Sequence, residues 1–529
     1  MFKVMIRDNM SSVAKEILEA TGKIRVVVDN DKKNTAPEVL SEIIRDFDGL
    51  AIRSGTKVPK QVLENPGKLK VIGRAGVGVD NIDIKAATRH GIVVMNAPGG
   101  NTVTTGEHAI SLLLSLARNI PQATASLRSG KWEKKQLSGV EITGKILGVI
   151  GLGHIGRIVA DRALGLKMKV IATDPFVSQD AAGKLGVELV SMDELLTRSD
   201  FITLHVPKLA ETANMVNSSI IAKMKPGVRI INASRGEVVN LDDLYEALNS
   251  GHVAGAALDV FPKEPPDYSH SVFGLPNVIF TPHLGASTSE AQNKVAEMIA
   301  EQMASYLLNG VIINAVNFPS LPRETLEKIS PYLTLAERMG SLMGQMVRKI
   351  HDITINYCGN IAYLNTRPLT HALLKGILGA YTHNPVNYVS APEIAKDKGI
   401  EVHEIISESK DDFAGSIRLK LIGHDIGPGE IWGTIFGNKY PRIVRLGEIY
   451  MDAIPEGFMI IVQNYDKPGV IGNLGTTLGH YNINIGRFQL GRLKDKALCM
   501  INIDTPADEI VLEKIRTLPN IISVRQVQL

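Results

Sequence analysis

The sequence predicts an α/β protein built on doubly wound parallel sheets, followed by smaller α+β units. Three observations predict this class. Short apolar strands alternate with helices or loops as far as His283, a glycine-rich motif joins one such strand to a helix, and the last 75 or so residues read strand, helix, strand, strand, helix, strand. Because hydrophobic cores stop growing at about 250 to 300 residues, a chain of 529 residues should contain three or four domains.

Composition excludes several classes of protein. Hydrophobic residues make up 44% of the chain and charged residues 21%, and the formal net charge is +3, so neither nucleic acid nor a membrane surface is expected as the main partner. The N-terminus has no long apolar stretch of the kind that a signal peptide or membrane helix needs, which favours a cytoplasmic location. Cys358 and Cys499 are isolated in apolar contexts and are expected to be core residues, and no metal site is expected.

The elements follow one another in a regular order. The first 95 residues alternate strands and amphipathic helices, and TGEHAISLLLSLARNI then predicts a long helix. The polar stretch GKWEKKQLSG is interpreted as a crossover between domains, and a second βαβ series begins at Ile146. A helix of about 20 residues follows His283, and Pro319 and Pro322 predict a domain boundary near residue 318.

The motif from Gly151 to Gly156 predicts a dinucleotide site, because it follows the strand ILGVI and opens a helix. Gly151 permits a tight turn, Gly153 lets the backbone approach a pyrophosphate, and Gly156 lets helix and strand pack closely. The N-H groups at the helix start, around His154 and Ile155, would bind the phosphates.

Asp174 distinguishes this motif from a simple glycine-rich turn. It ends the next strand, close to the usual separation of about 20 residues for a carboxylate that accepts hydrogen bonds from the adenosine ribose. A carboxylate there repels a 2'-phosphate, and the following Pro175 and Phe176 supply no arginine to hold one. The sequence therefore favours NAD over NADP.

Three further motifs follow strands of the second series, where ligands bind in such sheets. Arg235 in NASRG offers paired N-H donors for a substrate carboxylate, His283 in TPHLGAST is a candidate base for a hydroxyl proton, and Glu264 in FPKEPP could orient that histidine. Taken singly, each has an ordinary alternative: a surface ion pair, a loop histidine held by backbone and a turn carboxylate.

Together, and in this order behind a dinucleotide motif, these residues resemble the D-2-hydroxyacid dehydrogenase family over about residues 1–318. The resemblance implies two Rossmann-like domains, with an NAD-binding domain (98–291) inserted into a substrate-binding domain (1–97 and 292–318), and an active site in the cleft between them. It also implies that the nicotinamide side of the site is lined by His205, Val206, Pro207, Ala233, Asp259 and Gly285.

A phosphorylated substrate needs basic groups beyond Arg235, and Arg53 and Arg74 each follow a strand of the first domain. The phosphoglycerate-oxidising members of the family resemble this sequence in both motifs, and Asn101 matches a substrate-contacting asparagine. The implied reaction is NAD-dependent oxidation of 3-phospho-D-glycerate to 3-phosphohydroxypyruvate, the first step of phosphorylated serine biosynthesis. Lys134 and Lys135 could add charge, from a neighbouring subunit, or belong to a solvated loop.

The C-terminal segment YDKPGVIGNLGTTLGHYNINI resembles the ACT regulatory domain, which implies a ferredoxin-like βαββαβ fold over residues 454–529 and a small amino-acid site between paired domains. Serine is the implied effector and a homotetramer the implied assembly. Residues 319–453 resemble the intervening α+β domain of the longer family members, where a basic segment from Lys439 to Arg445 is either anion-responsive or simply solvated. The residues implied for serine, which are otherwise ordinary turn residues, are Tyr465, Asp466, Asn473 and Asn482.

Two other functions remain open at this stage. A related reductase would lack the phosphate requirement, and replacement of Arg53 would distinguish it. A noncatalytic NADH-sensing protein could retain the same fold, but the intact set of Arg235, Glu264 and His283 argues against it.

Overall fold

The N-terminal strands form a parallel sheet in the order β2-β1-β3-β4-β5. In this computed structural model the described residues are 1–319, 323–380, 382, 386–408, 412–424 and 429–529. Both faces of the sheet are covered, which is why its strands are runs of buried apolar residues. The elements are β1 (Phe2–Ile6), α1 (Ser12–Ala20), β2 (Ile24–Val28), α2 (Pro37–Ile43), β3 (Gly49–Ile52), α3 (Lys60–Leu63), β4 (Val71–Arg74), α4 (Ile84–Arg89) and β5 (Val93–Asn96).

A second parallel sheet has the order β12-β11-β10-β9-β6-β7-β8. Its strand order reverses between β6 and β9, the kind of switch point where ligands bind in doubly wound sheets. The two parallel sheets confirm the predicted fold class. The elements are α5 (Thr102–Arg118), α6 (Ile120–Arg128), β6 (Ile146–Ile150), α7 (His154–Gly165), β7 (Lys169–Thr173), α8 (Gln179–Gly183), β8 (Glu188–Leu189), α9 (Met192–Arg198), β9 (Phe201–Leu204), α10 (Ser218–Ile221), β10 (Val228–Asn232), α11 (Leu241–Asn249), β11 (Val253–Leu258) and β12 (Val278–Phe280).

The chain then returns to the first sheet through α12 (Ser289–Asn309). Thr288 caps the start of this helix through the backbone N-H of Ala291, and Gly310 ends it in the left-handed conformation. Met303 of α12 packs so closely on the first sheet that a Cβ at Gly73 would lie 2.5 Å from its sulfur. Pro319 lies at the end of a described range, whereas Pro322 lies outside the described residues.

The next unit is α+β, with a mixed sheet in the order β14-β13-β15-β16-β17-β18. Two helices, α13 and α14, pack on each other through glycines: a Cβ at Gly340 would lie 2.2 Å from the carbonyl oxygen of Leu373. Apolar residues of both helices share one core with the sheet. The elements are α13 (Arg323–Met346), β13 (Arg348–Gly359), α14 (Arg367–Gly379), α15 (Ala391–Asp397), β14 (Glu401–Ser407), β15 (Gly415–His424), β16 (Glu430–Phe436), β17 (Tyr440–Leu446) and β18 (Ile449–Ala453).

The C-terminal unit has the predicted βαββαβ order and an antiparallel sheet, β20-β21-β19-β22. One face of this sheet shares a continuous core with α13 of the preceding unit, to which Met459, Ile461 and Met500 contribute. Both cysteines are buried and unpaired, in agreement with their expected place in the core. The elements are β19 (Phe458–Tyr465), α16 (Val470–His480), β20 (Ile485–Leu493), β21 (Lys496–Ile503), α17 (Glu509–Arg516) and β22 (Ile521–Gln528).

Candidate active site

The glycine turn between β6 and α7 has the geometry that a dinucleotide needs. Gly151 has φ +93°, and a Cβ there would lie 2.6 Å from the carbonyl oxygen of His205. A Cβ at Gly156 would lie 2.1 Å from the carbonyl oxygen of Gly151, so this close approach of helix and strand requires glycine. Gly153 has open space beside it and caps α7 without a side-chain hydrogen bond, which leaves room for a phosphate at the helix start, around His154 and Ile155.

Asp174 lies directly beside this turn. Its carboxylate accepts hydrogen bonds from the backbone N-H of Leu152 at 2.8 Å and of Phe176 at 2.8 Å. Each carboxylate oxygen can accept a further bond, so the group is positioned by the backbone while remaining able to bind a hydroxyl. The residues of the turn therefore fit the adenosine side of NAD.

His283 and Glu264 form a hydrogen-bonded pair. The Nδ1 atom of His283 lies 2.7 Å from Oε2 of Glu264, and both side chains are about 40% exposed. Burial acts to raise the pKa of Glu264, but the hydrogen bond from His283 and their charge interaction outweigh it, so the pKa is lowered. A charged Glu264 holds the proton on Nδ1 of His283 and leaves Nε2 free to take one.

Asp259 is completely buried beneath the loop that carries His283. Its carboxylate accepts hydrogen bonds from the hydroxyl of Thr281 at 2.6 Å and from the backbone N-H groups of Leu284 at 2.7 Å and Gly285 at 2.9 Å. His108 of α5 approaches the same carboxylate at 3.1 Å. Asp259 thus organises the loop.

Arg235 connects the two parallel-sheet units. Its Nε donates to Asp80 of the first unit at 3.0 Å, and its Nη1 donates to the carbonyl oxygen of Ser234 at 2.7 Å. A Cβ at Gly78 would lie 2.1 Å from Nη2 of Arg235, so the guanidinium rests against the loop that follows β4.

Arg74 reaches the same loop from the end of β4. A Cβ at Gly76 would lie 2.0 Å from its Nη1, so the glycines of GRAGVGVD make room for both Arg74 and Arg235. Burial, together with the charges of Arg235 and Arg53, lowers the pKa of Arg74 to about 10, with Asp80 acting in the opposite direction. Three arginines therefore share one electrostatic environment.

Two buried polar atoms of the residues implied for the substrate lack a hydrogen-bond partner among the described residues. They are Nε of Arg74 and the side-chain oxygen of Asn101. Buried polar atoms are normally paired, so such orphans suit a site that a polar ligand completes. Arg53 follows β3, and its backbone is held by Asp8 at 2.8 Å and by Asn81 at 2.8 Å.

The residues implied for the nicotinamide side follow β9 and β10. His205, with its Nε2 2.9 Å from the hydroxyl of Thr203, has a pKa lowered by burial to about 4, so its ring is neutral at neutral pH. Its Nδ1 is a further buried atom without a partner in the described part of the chain. Val206 and Pro207 come next along the chain, and Ala233 is buried at the end of the neighbouring strand.

The implied regulatory residues lie at two ends of one helix. Tyr465 and Asp466 precede α16, with Asp466 3.5 Å from Arg492, whereas Asn482 follows the helix with φ +55°. An 11-residue helix is about 16 Å long, so Asn482 lies far from Tyr465 within one chain. Asn473 lies near the start of α16, where its backbone N-H bonds to Gly469.

Other charged groups lie apart from the cleft. Lys134 and Lys135 are exposed. Asp352, Glu401 and His403 gather on the intervening sheet, where His403 lies 3.1 Å from Asp352 and 3.5 Å from Glu401, and these ion pairs account for the cluster. Within the described residues, no helix is both long and apolar enough to cross a membrane.

Sequence reasoning did not single out Asp80 or His108. Asp80 lies in the same motif as Arg74, so an acidic residue after a strand was a usable signal. His108 was part of a helix recognised only for its apolar face, and the sequence contains no sign of its partner 151 residues away.

Comparison with known proteins finds matches to three parts of the chain. The model of the D-isomer specific 2-hydroxyacid dehydrogenase NAD binding domain matches residues 110–285, that of the D-3-phosphoglycerate dehydrogenase intervening domain matches 328–447, and that of the ACT domain matches 458–520. A crystal structure of D-lactate dehydrogenase from Aquifex aeolicus with NAD and lactic acid is 27% identical, with TM-score 0.53, and the match covers 60% of this chain and 100% of that one. The fold and site therefore define an NAD-binding dehydrogenase of the D-isomer specific 2-hydroxyacid class.

Two full-length relatives narrow the class. D-3-phosphoglycerate dehydrogenase from Synechocystis is 42% identical over 97% of this chain and 92% of its own length. The Archaeoglobus fulgidus protein of the same name is 42% identical over 100% of both chains. The chain belongs to the D-3-phosphoglycerate dehydrogenase family, and its cofactor is NAD.

Proposed function

We propose that this protein oxidises 3-phospho-D-glycerate to 3-phosphohydroxypyruvate with NAD, the first step of phosphorylated serine biosynthesis. The observation that carries the proposal is the shared environment of Arg53, Arg74 and Arg235 in a cleft that also contains the pair His283 and Glu264. A substrate with a carboxylate and a phosphate has the charge to match three arginines.

Substrate binding divides between the two parallel-sheet units. Arg235 binds the carboxylate through its Nη edge, because Nε is already bound to Asp80. Arg53 and Arg74 bind the phosphate, and Asn101 supplies a polar contact. The unpaired atoms of Arg74 and Asn101 support this assignment, since a ligand would satisfy them.

The protein's own chemistry is proton transfer and charge stabilisation. Nε2 of His283 takes the proton from the C2 hydroxyl, and Glu264 stabilises the imidazolium that forms. NAD, when bound, accepts the hydride from C2. In the reverse direction protonated His283 acts as the acid.

We assign the cofactor-binding residues separately to the adenosine-pyrophosphate part and to the nicotinamide part of NAD. Gly151, Gly153, His154, Ile155 and Gly156 would hold the pyrophosphate, and Asp174 the adenosine ribose. The nicotinamide side would be formed by the groups at the ends of the central strands, namely His205, Val206, Pro207, Ala233, Asp259 and Gly285.

The test is NADH production at alkaline pH from 3-phosphoglycerate, with lactate and glycerate as controls. Arg53→Ala should raise the KM for 3-phosphoglycerate at least tenfold while leaving the affinity for NAD unchanged. Arg25→Ala, on the exposed edge strand β2, is the matched control. Turnover only on unphosphorylated acids, or an unchanged KM in Arg53→Ala, would overturn the substrate assignment.

Serine is the effector that we assign to the C-terminal ACT unit. Tyr465, Asp466 and Asn473 lie at the start of α16 and Asn482 at its other end, so one site can use all four only across a pair of domains. Addition of millimolar serine to the assay above should lower turnover. Turnover that is insensitive to serine would leave the enzyme activity in place and reject this effector.

We propose that the protein is a homotetramer and that it is located in the cytoplasm. Ile120, Leu127 and Trp132, on and after α6, are 52%, 60% and 82% exposed, and large exposed apolar side chains of this kind support contact with a second copy. Light scattering after size-exclusion chromatography tests the tetramer, and a monomer would reject it.

We assign residues 1–97 and 292–318 to substrate binding, 98–291 to NAD binding, and 319–453 and 454–529 to regulation.

A further inference from the structure

His108 lies on α5 with its imidazole against the loop that carries the candidate base His283. Its Nε2 is 3.1 Å from a carboxylate oxygen of Asp259 and 3.3 Å from the hydroxyl of Thr281. We infer that His108 is a positioning residue that, through Asp259, holds His283 in its catalytic geometry. This inference rests on the proposed function.

Asp259 surrounds His283 with hydrogen bonds. Its carboxylate accepts from Thr281 on one side of the histidine and from Leu284 and Gly285 on the other. Its own carbonyl oxygen accepts the backbone N-H of His283 at 2.8 Å. One buried residue therefore determines the path of the whole loop.

The loop needs that support because His283 has φ +54°. A residue with a Cβ adopts this left-handed region at a cost, and such conformations persist where the surrounding structure holds them. If Asp259 moves, His283 loses the conformation in which its Nδ1 contacts Glu264.

His108 differs from the other hydrogen-bond partners of Asp259 because its side chain is ionisable. Thr281 and the backbone N-H groups are neutral donors, whereas His108 is, among the described residues, the one ionisable side chain that hydrogen-bonds to this carboxylate. A fully buried carboxylate is costly without an ionisable or well-aligned partner. Burial acts to raise the pKa of Asp259, and the hydrogen bonds from His108, Thr281 and Leu284 outweigh it, so this carboxylate stays charged.

The helix α5 forms the wall behind this loop. Thr105, one turn before His108, is so close to Gly285 that a Cβ there would lie 3.3 Å from the Thr105 methyl group. In the part of the chain that the structure describes, His108 hydrogen-bonds to neither Glu264 nor His283, and its side chain is 18% exposed. It acts on the proton-transfer pair only through Asp259, which is why we assign it positioning and not proton transfer.

The test uses two variants of His108 in the full-length chain. His108→Phe removes the donor, and His108→Gln keeps an N-H donor at a similar distance. In His108→Phe we expect kcat for 3-phosphoglycerate to fall by about 10- to 100-fold, because small misplacements of a catalytic group cost about that much. The KM for the substrate should change less than about threefold. The affinity for NADH, to which Asp259 and Gly285 contribute, should fall much less than kcat does, and His108→Gln should recover most of kcat.

Ser111→Ala is the matched control, since Ser111 lies one turn further along the exposed side of α5 and its hydroxyl donates to the backbone carbonyl of Glu107. It should leave kcat unchanged. An unchanged kcat in His108→Phe, or an equal loss of kcat, NADH binding and thermal stability in both His108 variants, would overturn the positioning role. Wild-type turnover is measured first, because its absence rejects the proposed function itself, whereas normal turnover with an unaffected Phe variant rejects only the role of His108.

Discussion

At the scale of single residues, the proposed roles separate the groups that bind the substrate from the pair that moves a proton. His283 is exposed enough to meet a substrate, while its Nδ1 is held by Glu264. Arg235 is held at Nε by Asp80 and at Nη1 by the carbonyl oxygen of Ser234, and its Nη2 lies against the loop after β4. Each of these two groups is thus held in place by neighbouring residues.

Replacement of His283 by Asn should lower kcat by about 10²- to 10⁴-fold, the usual contribution of a general base. The affinity for NADH, measured by fluorescence titration, should change little because the glycine turn is untouched. His270→Asn is the control, since His270 caps a short helix away from the cleft and pairs with Asp242. Equal losses of turnover and NADH affinity would contradict the assignment of His283 as the base.

His205 should make the folded state sensitive to acid. Burial lowers its pKa to about 4, whereas an unfolded histidine titrates near 6.5, so between these values the unfolded chain binds a proton that the folded chain does not. Stability therefore falls as the pH drops from about 6.5 towards 4, by about 2 kcal/mol at pH 5 from this residue.

Urea unfolding at pH 7 and pH 5 measures this effect. His205→Gln, which removes the titrating group, should lose less stability between the two pH values than the wild type does. Because every other histidine is present in both proteins, the difference isolates His205. An equal loss in both proteins would show that His205 does not contribute.

At the scale of elements, the turn from β6 into α7 contains one glycine that packing requires and another that we propose for cofactor binding. Gly156 has no room for a Cβ because of the Gly151 carbonyl, whereas Gly153 has open space on its Cβ side. The two glycines therefore serve different physical purposes within one motif.

Gly153→Ala should leave thermal stability nearly unchanged but weaken NAD binding by about tenfold or more, since the new methyl group stands where the pyrophosphate approaches. Gly156→Ala should instead lower the melting temperature, because the backbone must move. Gly165→Ala, at the end of the same helix and also in open space, is the control for both measurements. A stable Gly153→Ala variant with normal NAD affinity would contradict the proposed position of the pyrophosphate.

At the scale of the whole molecule, a chain of packed elements connects the C-terminal unit to the first sheet. The C-terminal sheet shares its core with α13, and α13 packs on α14 through glycines. Asn387, which follows α14, donates to the carbonyl oxygen of Gly91 at 2.5 Å, just before β5 of the first sheet. This contiguous path offers a physical connection for any effector bound near α16.

Met500→Ala should destabilise the intervening and C-terminal units together. Met500 is completely buried in their shared core, and loss of such a side chain typically costs about 2 to 5 kcal/mol. Hydrogen exchange should then increase in α13 as well as in β21. Ile471→Ala, on the 46%-exposed face of α16, is the control, and faster exchange confined to the C-terminal unit would contradict a shared core.

The sequence by itself determined the features that depend on neighbours along the chain. The βα rhythm predicted both parallel sheets, and the glycine motif with Asp174 predicted the NAD site, because these residues lie within one βαβ unit. The βαββαβ order of the C-terminal unit was readable for the same reason, since alternation and turn residues report local burial and local backbone conformation.

Only the tertiary structure decided which distant groups meet. The contact of Arg235 with Asp80 joins residues 155 positions apart, and that of His108 with Asp259 joins residues 151 apart. Periodicity shows that a side chain is buried but not what it is buried against, so the support beneath His283 and the core shared through α13 could not be predicted. These contacts depend on how separate sheets and helices pack, which is set by the three-dimensional fit of their surfaces.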